Sequence, residues 1–112
     1  MRKNLASIII TNYNKEKFIK KSVQSALNQN YKNKEIILFD DRSKDKSLEI
    51  IKKFSNIYII KNKYKKFSSP PLNQINAIIK SFLKAKGEYI FFLDSDDEFK
   101  NTKVKSIINY FI

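Results

Sequence analysis

The feature that most constrains this chain is an alternation. Four short apolar runs, at 6–10, 35–40, 57–60 and 89–93, are separated by segments whose apolar residues recur at helical spacing. Runs of that length and composition read as buried strands, and a period of three to four residues reads as helix. Strand–helix alternation favours parallel strands with right-handed crossovers. The expectation is an α/β, doubly wound, mainly parallel sheet with helices on both faces. Residues 1–112 are too few for two cores, so they form a single domain or part of one.

Asn14 is placed to cap the first helix, with Ile19, Val23, Ala26 and Leu27 on one face. Asp45 is placed to cap the second, with Leu48, Ile51 and Phe54 turned inward. Residues 61–72, which hold four lysines and Ser68-Ser69-Pro70-Pro71, read as a long loop. A third helix starts at Asn73, with Ile75, Ile78, Ile79, Phe82 and Leu83 on one side, and Gly87 is its C′ residue. Thr102 starts a last helix whose apolar face is Val104, Ile107, Ile108 and Phe111. The chain stops inside that pattern, as expected for the N-terminal part of a longer enzyme. Further chain, or a homodimer through this C-terminal helix, would cover whatever stays exposed.

Composition removes whole classes of chemistry. With no Cys and no His, disulfide scaffolds, thiolate zinc sites and Ser-His-Asp triads are absent. A metal must therefore sit among oxygen ligands, which points to magnesium, manganese or calcium. One glycine is too few for a Rossmann or P-loop phosphate cradle. The net charge of +12 comes from 21 Lys and 2 Arg against 11 acids. The lysines are spread along every segment, so no nucleic acid is expected, and an anionic membrane surface is the better partner. No apolar run approaches the roughly 20 residues that cross a bilayer, and the N-terminal stretch is too short for a signal peptide. The expected location is cytoplasmic, at most peripheral at the inner face of the membrane.

The acids are not spread. Seven of eleven fall in two places: Asp40, Asp41 and Asp45 after the second strand, and Asp94, Asp96, Asp97 and Glu98 after the fourth. Both are carboxyl ends of strands, where open parallel sheets bind ligands. A divalent ion held by Asp94-Ser95-Asp96 would supply the positive charge that a glycine-free nucleotide site lacks. A bland alternative is an Asp-rich turn that caps the following helix. An EF-hand starting at Asp94 fails, because its sixth position is Phe99 and its twelfth is Lys105. A phosphatase of the haloacid dehalogenase type carries its DxD on the first strand, followed by Thr or Val. Here the motif follows the fourth strand and precedes Asp97.

Three segments together resemble the family 2 glycosyltransferases, inverting enzymes of the GT-A fold. They are Ser7-Ile8-Ile9-Ile10-Thr11-Asn12-Tyr13-Asn14, then Asp40-Asp41-Arg42-Ser43-Lys44-Asp45, then Gly87-Glu88-Tyr89-Ile90 running into Asp94-Ser95-Asp96-Asp97. The resemblance implies a nucleotide-diphosphate sugar donor, with uridine diphosphate the commonest carrier. It also implies transfer to a saccharide or lipid-linked acceptor in surface polysaccharide or glycolipid synthesis. Thr11 and Tyr13 would line the base pocket, Tyr13 by stacking, with a ring packed over the first helix as the structural alternative. Asp41 would accept from the base imide, and Asp40 would support the loop. Asp94 would face the ribose or sugar. Asp96 would coordinate Mn2+ or Mg2+, with Asp94 and Asp97 beside it.

The departures are specific. Arg42 stands where the family has a small residue or Asn, free to reach a phosphate or pair with a neighbouring acid. Ile75-Asn76-Ala77 keeps only the Asn of the family's Ala-Arg-Asn signature. The family's catalytic base would lie beyond residue 112, so this chain would bind donor without transferring sugar. Two other readings compete: a non-catalytic nucleotide or metal-binding module, and a basic nucleic-acid-binding domain, whose affinity would fall steeply with salt.

Overall fold

The computed structural model describes residues 1–63 and 69–112. Along the chain run β1 (Arg2–Asn12), α1 (Ile19–Leu27), β2 (Lys34–Asp40), α2 (Ser47–Ile51), β3 (Tyr58–Lys61), α3 (Pro70–Lys84), β4 (Gly87–Asp94) and α4 (Lys103–Phe111). The strands form one sheet in the order β3-β2-β1-β4, and every neighbouring pair is parallel. The order reverses at β1, so the chain builds outward in one direction and then returns to the other side of its first strand. Helices lie on both faces, as the alternation requires.

Side-chain alternation along the strands divides the interior in two. Ala6, Ile8 and Ile10 of β1, Ile36 and Leu38 of β2, and Phe91 and Leu93 of β4 meet Ile19, Val23 and Ala26 of α1, Ile51 of α2, and Val104 and Ile108 of α4. The opposite face buries Ile9, Ile37 and Phe39, where α3 crosses β1 and β2. Full burial of each large apolar side chain contributes about 1.5–3 kcal/mol, so these two layers dominate the driving force.

Helix α3 is where the periodicity misleads. The apolar positions do share a side, but most of it faces outward: Ile78 is half-buried, whereas Ile75, Ile79, Phe82 and Leu83 are 51%, 53%, 55% and 74% exposed. The buried positions are Asn73, Ala77 and Ser81, four residues apart. Small side chains let the helix backbone lie close to the sheet, and Ser81 satisfies its own hydroxyl by donating to the Ala77 carbonyl at 2.7 Å.

Three local expectations are corrected. Asn14 does not cap α1: the cap position is Phe18, with no side-chain bond, and Asn14 adopts a left-handed φ of 51°. Pro70, Pro71 and Leu72 are not loop but the first turn of α3, where a proline costs no hydrogen bond because the first N–H groups of a helix are unpaired anyway. The rest of that expected loop includes residues 64–68, which lie outside the described residues. Gly87 is not a helix C′ residue, since α3 ends at Lys84 and turns extended at Ala85. It opens β4 instead, and a Cβ there would stand 2.5 Å from Ser7 Oγ and 2.6 Å from the Leu5 carbonyl oxygen. Only glycine fits that approach.

On α4, Val104 and Ile108 are buried, whereas Ile107 and Phe111 are exposed, so half of the expected face is covered. Among the described residues, no helix is long and apolar enough to cross a membrane.

Candidate functional site

The two acid clusters do arrive side by side, because β2 and β4 flank β1. The register pairs Asn12 with Asp40 on one side and Thr11 with Asp94 on the other. The loop after β2 is fixed by its own acids. Asp40, 1% exposed, accepts from Asn12 Nδ2 at 2.9 Å, from Ser43 Oγ at 2.6 Å and from the Ser43 amide at 3.0 Å. It holds the loop. Asn14, in its left-handed conformation, accepts from the Lys44 amide at 2.8 Å, and its own amide donates to Ser43 Oγ at 2.9 Å. Asp45 accepts from the Glu16 and Ser47 amides, each at 2.9 Å, so it stitches the start of α2 to the approach of α1. Desolvation works to raise the pKa of Asp45, but the hydrogen bonds from Ser47 and Glu16 outweigh it and hold the carboxyl below its usual range.

Asp41 is treated differently. It is 8% exposed, and its Oδ1 accepts from Asn62 Nδ2 at 2.8 Å. Arg42, at φ 57°, turns back with Nε 3.7 Å from the same oxygen. Of the two roles open to Arg42, pairing with a neighbouring acid is the one observed. The second carboxylate oxygen of Asp41 keeps no partner among the described residues, and Asp41 lines the cavity.

The loop after β4 leaves its acids bare. The Ser95 amide donates to the Thr11 carbonyl at 3.2 Å, Ser22 Oγ of α1 donates to the Asp94 carbonyl at 3.2 Å, and the Asp97 amide closes a tight turn onto that carbonyl at 3.0 Å. The backbone is pinned while the side chains of Asp94, Asp96 and Asp97 stay exposed. Each offers one oxygen, and all three oxygens lie within 4.8 Å of one another. Among the described residues one ion pair reaches the group, from Lys15 Nζ to Asp96 Oδ2 at 3.7 Å. An all-oxygen set of this spacing and exposure suits a hard divalent ion that keeps several waters.

Between the two loops lies a cavity of about 390 Å³. Thr11, Tyr13, Asp41, Asp94 and Asp96 all line it, so five expected site residues share one space. Asp97 does not; it lies on a neighbouring recess with Glu98 and Phe99. Tyr13 is 41% exposed where it lines the cavity. The cavity also takes residues that sequence reasoning missed: Lys15, Phe39, and Asn73 and Gln74 from the first turns of α3. Gln74 Nε2 donates to Thr11 Oγ1 at 3.2 Å and closes that wall. The prolines that mark the start of α3 were the available signal for Asn73 and Gln74. Nothing in the type or spacing of Lys15 distinguishes it from the other lysines.

Comparison with known proteins bears on this geometry. The sequence model described as Glycosyl transferase family 2 matches residues 7–112. An uncharacterized glycosyltransferase from Haemophilus influenzae is 43% identical over all of this chain and 44% of its own length. The Escherichia coli UDP-Glc:alpha-D-GlcNAc-diphosphoundecaprenol beta-1,3-glucosyltransferase WfaP is 45% identical over 95% of this chain and 41% of its own length. The chain thus spans less than half the length of these relatives. The crystal structure of S. aureus TarS 1-349 superposes with a TM-score of 0.77 at 26% identity, over 94% of this chain and 31% of that one. The parallel four-stranded sheet and its helices match the GT-A arrangement.

Proposed function

This chain belongs to glycosyl transferase family 2, and from that premise we propose that it is the donor-binding part of a metal-dependent, inverting glycosyltransferase. The donor is a nucleotide-diphosphate sugar, most simply one carried on uridine diphosphate. The acceptor is a saccharide or lipid-linked sugar of a surface polysaccharide or glycolipid, in keeping with the alpha-D-GlcNAc-diphosphoundecaprenol acceptor in the name of the E. coli relative. The working location is the cytoplasm, at the inner membrane face where the acceptor is lipid-linked.

The observation that carries this reading is the meeting of Tyr13, Asp41, Asp94 and Asp96 on one cavity at the carboxyl ends of the strands. Tyr13 offers a flat, half-exposed face for a base, and the unpartnered oxygen of Asp41 accepts a base N–H. Thr11, held by Gln74, lines the base pocket beside Tyr13. Asp94, Asp96 and Asp97 would hold Mn2+ or Mg2+, which neutralises charge on a diphosphate leaving group. Lys15 adds a second cation at the same end. The cavity acids are committed to base or ion, so the residue that deprotonates the acceptor hydroxyl is supplied by other residues. The 112-residue chain binds donor and transfers no sugar.

Calorimetric titration with uridine diphosphate, with and without manganese, tests the assignment. Manganese is expected to tighten binding at least tenfold in the parent and to have no effect in Asp96→Ala. Equal affinity of the two proteins with manganese present would remove Asp96 from the ion site.

A further inference from the structure

Hydrophobic packing explains Ile19, Val23 and Ala26 of α1, which meet the sheet, but it asks for no polar groups beside them. Ser22, Ser25 and Gln29 nevertheless follow one another at spacings of three and four residues, along one side of the helix and the turn that ends it. Ser22 and Gln29 are buried, so their polar atoms need partners inside the protein. Each of the three finds one on the stretch from Asp94 to the first turn of α4. Ser22 Oγ donates to the Asp94 carbonyl at 3.2 Å, and Ser25 Oγ accepts from the Phe99 amide at 3.1 Å. Gln29 Nε2 donates to the Lys100 carbonyl at 2.8 Å and to the Ser25 carbonyl at 3.0 Å, while its Oε1 accepts from the Val104 amide at 3.0 Å. That last bond serves an N-terminal amide of α4, whose cap residue Thr102 makes no side-chain bond.

The acids sit between these anchors. Asp96 and Asp97 lie on the segment strung from the Asp94 carbonyl to the Phe99 amide, and the bonds from α1 end on backbone atoms rather than on carboxylates. The loop is therefore held while the oxygens of Asp94, Asp96 and Asp97 stay bare, within 4.8 Å of one another. The opposite end of α1 is tied to the first acid cluster. The Glu16 amide donates to Asp45 at 2.9 Å, and the Lys15 carbonyl accepts from the Phe18 and Ile19 amides at 3.0 and 2.9 Å. α1 is a strut between the two acid loops.

We infer that Ser22, Ser25 and Gln29 are positioning residues for the ion site, setting the spacing of the Asp94, Asp96 and Asp97 carboxylates without touching the ion. The inference rests on the ion-binding role proposed above for those three acids. Groups that orient metal ligands from behind commonly change ion affinity about tenfold or more, although they make no bond to the ion.

The ratio of uridine diphosphate affinities with and without manganese, measured by calorimetry, isolates the ion's contribution. The parent ratio is expected to be about tenfold or more. Ser25→Ala and Gln29→Ala are expected to bring it below about threefold, with the manganese-free affinity unchanged. Ser25→Thr keeps the hydroxyl and is expected to keep the ratio. Val23→Ala removes buried carbon from the same helix, so it is expected to lower the urea midpoint and leave the ratio alone. Ser25→Ala, the milder change, decides the matter if Gln29→Ala does not fold. A parent ratio near one overturns the ion reading and this inference with it. A parent ratio that survives intact in Ser25→Ala, or that falls equally in Val23→Ala, overturns the positioning role alone.

Discussion

Two loops of this molecule end neighbouring regions of one sheet with a similar stock of acids, and they treat those acids in opposite ways. After β2, Asp40 and Asp45 are surrounded by amides and hydroxyls, and together they accept five hydrogen bonds of 3.0 Å or less. After β4, the exposed trio Asp94, Asp96 and Asp97 meets one lysine among the described residues, Lys15, at 3.7 Å from Asp96. The difference lies in the donors. The β2 loop folds its own Ser43 back onto Asp40 and faces Asn12 and the turn before α1, so N–H and O–H groups surround its acids. The β4 loop turns tightly on its own backbone and presents its carboxylates to solvent. Carboxylates that fold a loop are spent on it, and carboxylates that the loop leaves bare are available to a cation. Asp41 is intermediate, with one oxygen held and one open.

That contrast can be broken at each residue. Asp40→Ala is expected to have the largest effect, a loss of about 2–4 kcal/mol of stability in urea denaturation, because the Asn12 and Ser43 donors are left unpaired in a buried site. A loss under about 1 kcal/mol would mean that water replaces the carboxylate and that the loop does not depend on it. Asp41→Ala is expected to weaken uridine diphosphate by about 1–3 kcal/mol, the usual loss when a charged hydrogen-bond partner is removed. The loss should be the same with and without manganese, and an unchanged preference among bases would take the base-reading role from Asp41.

Asp45 comes next. Its folded carboxyl lies below the ordinary value of 3.8, so the folded state binds fewer protons than the unfolded state in that range. Its contribution is complete above the unfolded value and is lost as pH falls through the folded one. Stability measured from pH 5 downward should decline less steeply in Asp45→Asn than in the parent. Smallest of all, Asp96→Ala is expected to leave stability within about 0.5 kcal/mol of the parent, as for an exposed side chain. A substantial loss there would show that the second cluster also holds the fold.

The strands were legible because β-branched and aromatic runs have few other fates, and the convergence of Asp41, Asp94 and Asp96 on one cavity was legible because both acid clusters end strands of a parallel sheet. The orientation of α3 was not legible. A helical period reports which residues share a side, but not whether that side or the Asn73, Ala77, Ser81 side meets the sheet. Close approach to the sheet favoured the small residues, and the pattern of apolar residues carries no record of that. Asn14 shows a related ambiguity, since asparagine is equally suited to capping a helix and to a left-handed turn. The neighbouring loop, seen only in three dimensions, decided it.

The missing side chain at Gly87 has a reach beyond its own surroundings. Its amide donates to Ser7 Oγ at 2.9 Å, so the start of β4 is clamped to β1 at one point. From there the strand runs as a rod of fixed length to Asp94 beside Thr11. A side chain at position 87 must push the clamped end outward or slide the strand along its neighbour. A slide of one residue would turn Asp94 to the other face of the sheet. The alignment of the acid cluster is therefore calibrated about 23 Å away, at the strand's opposite end, by an atom that is not there.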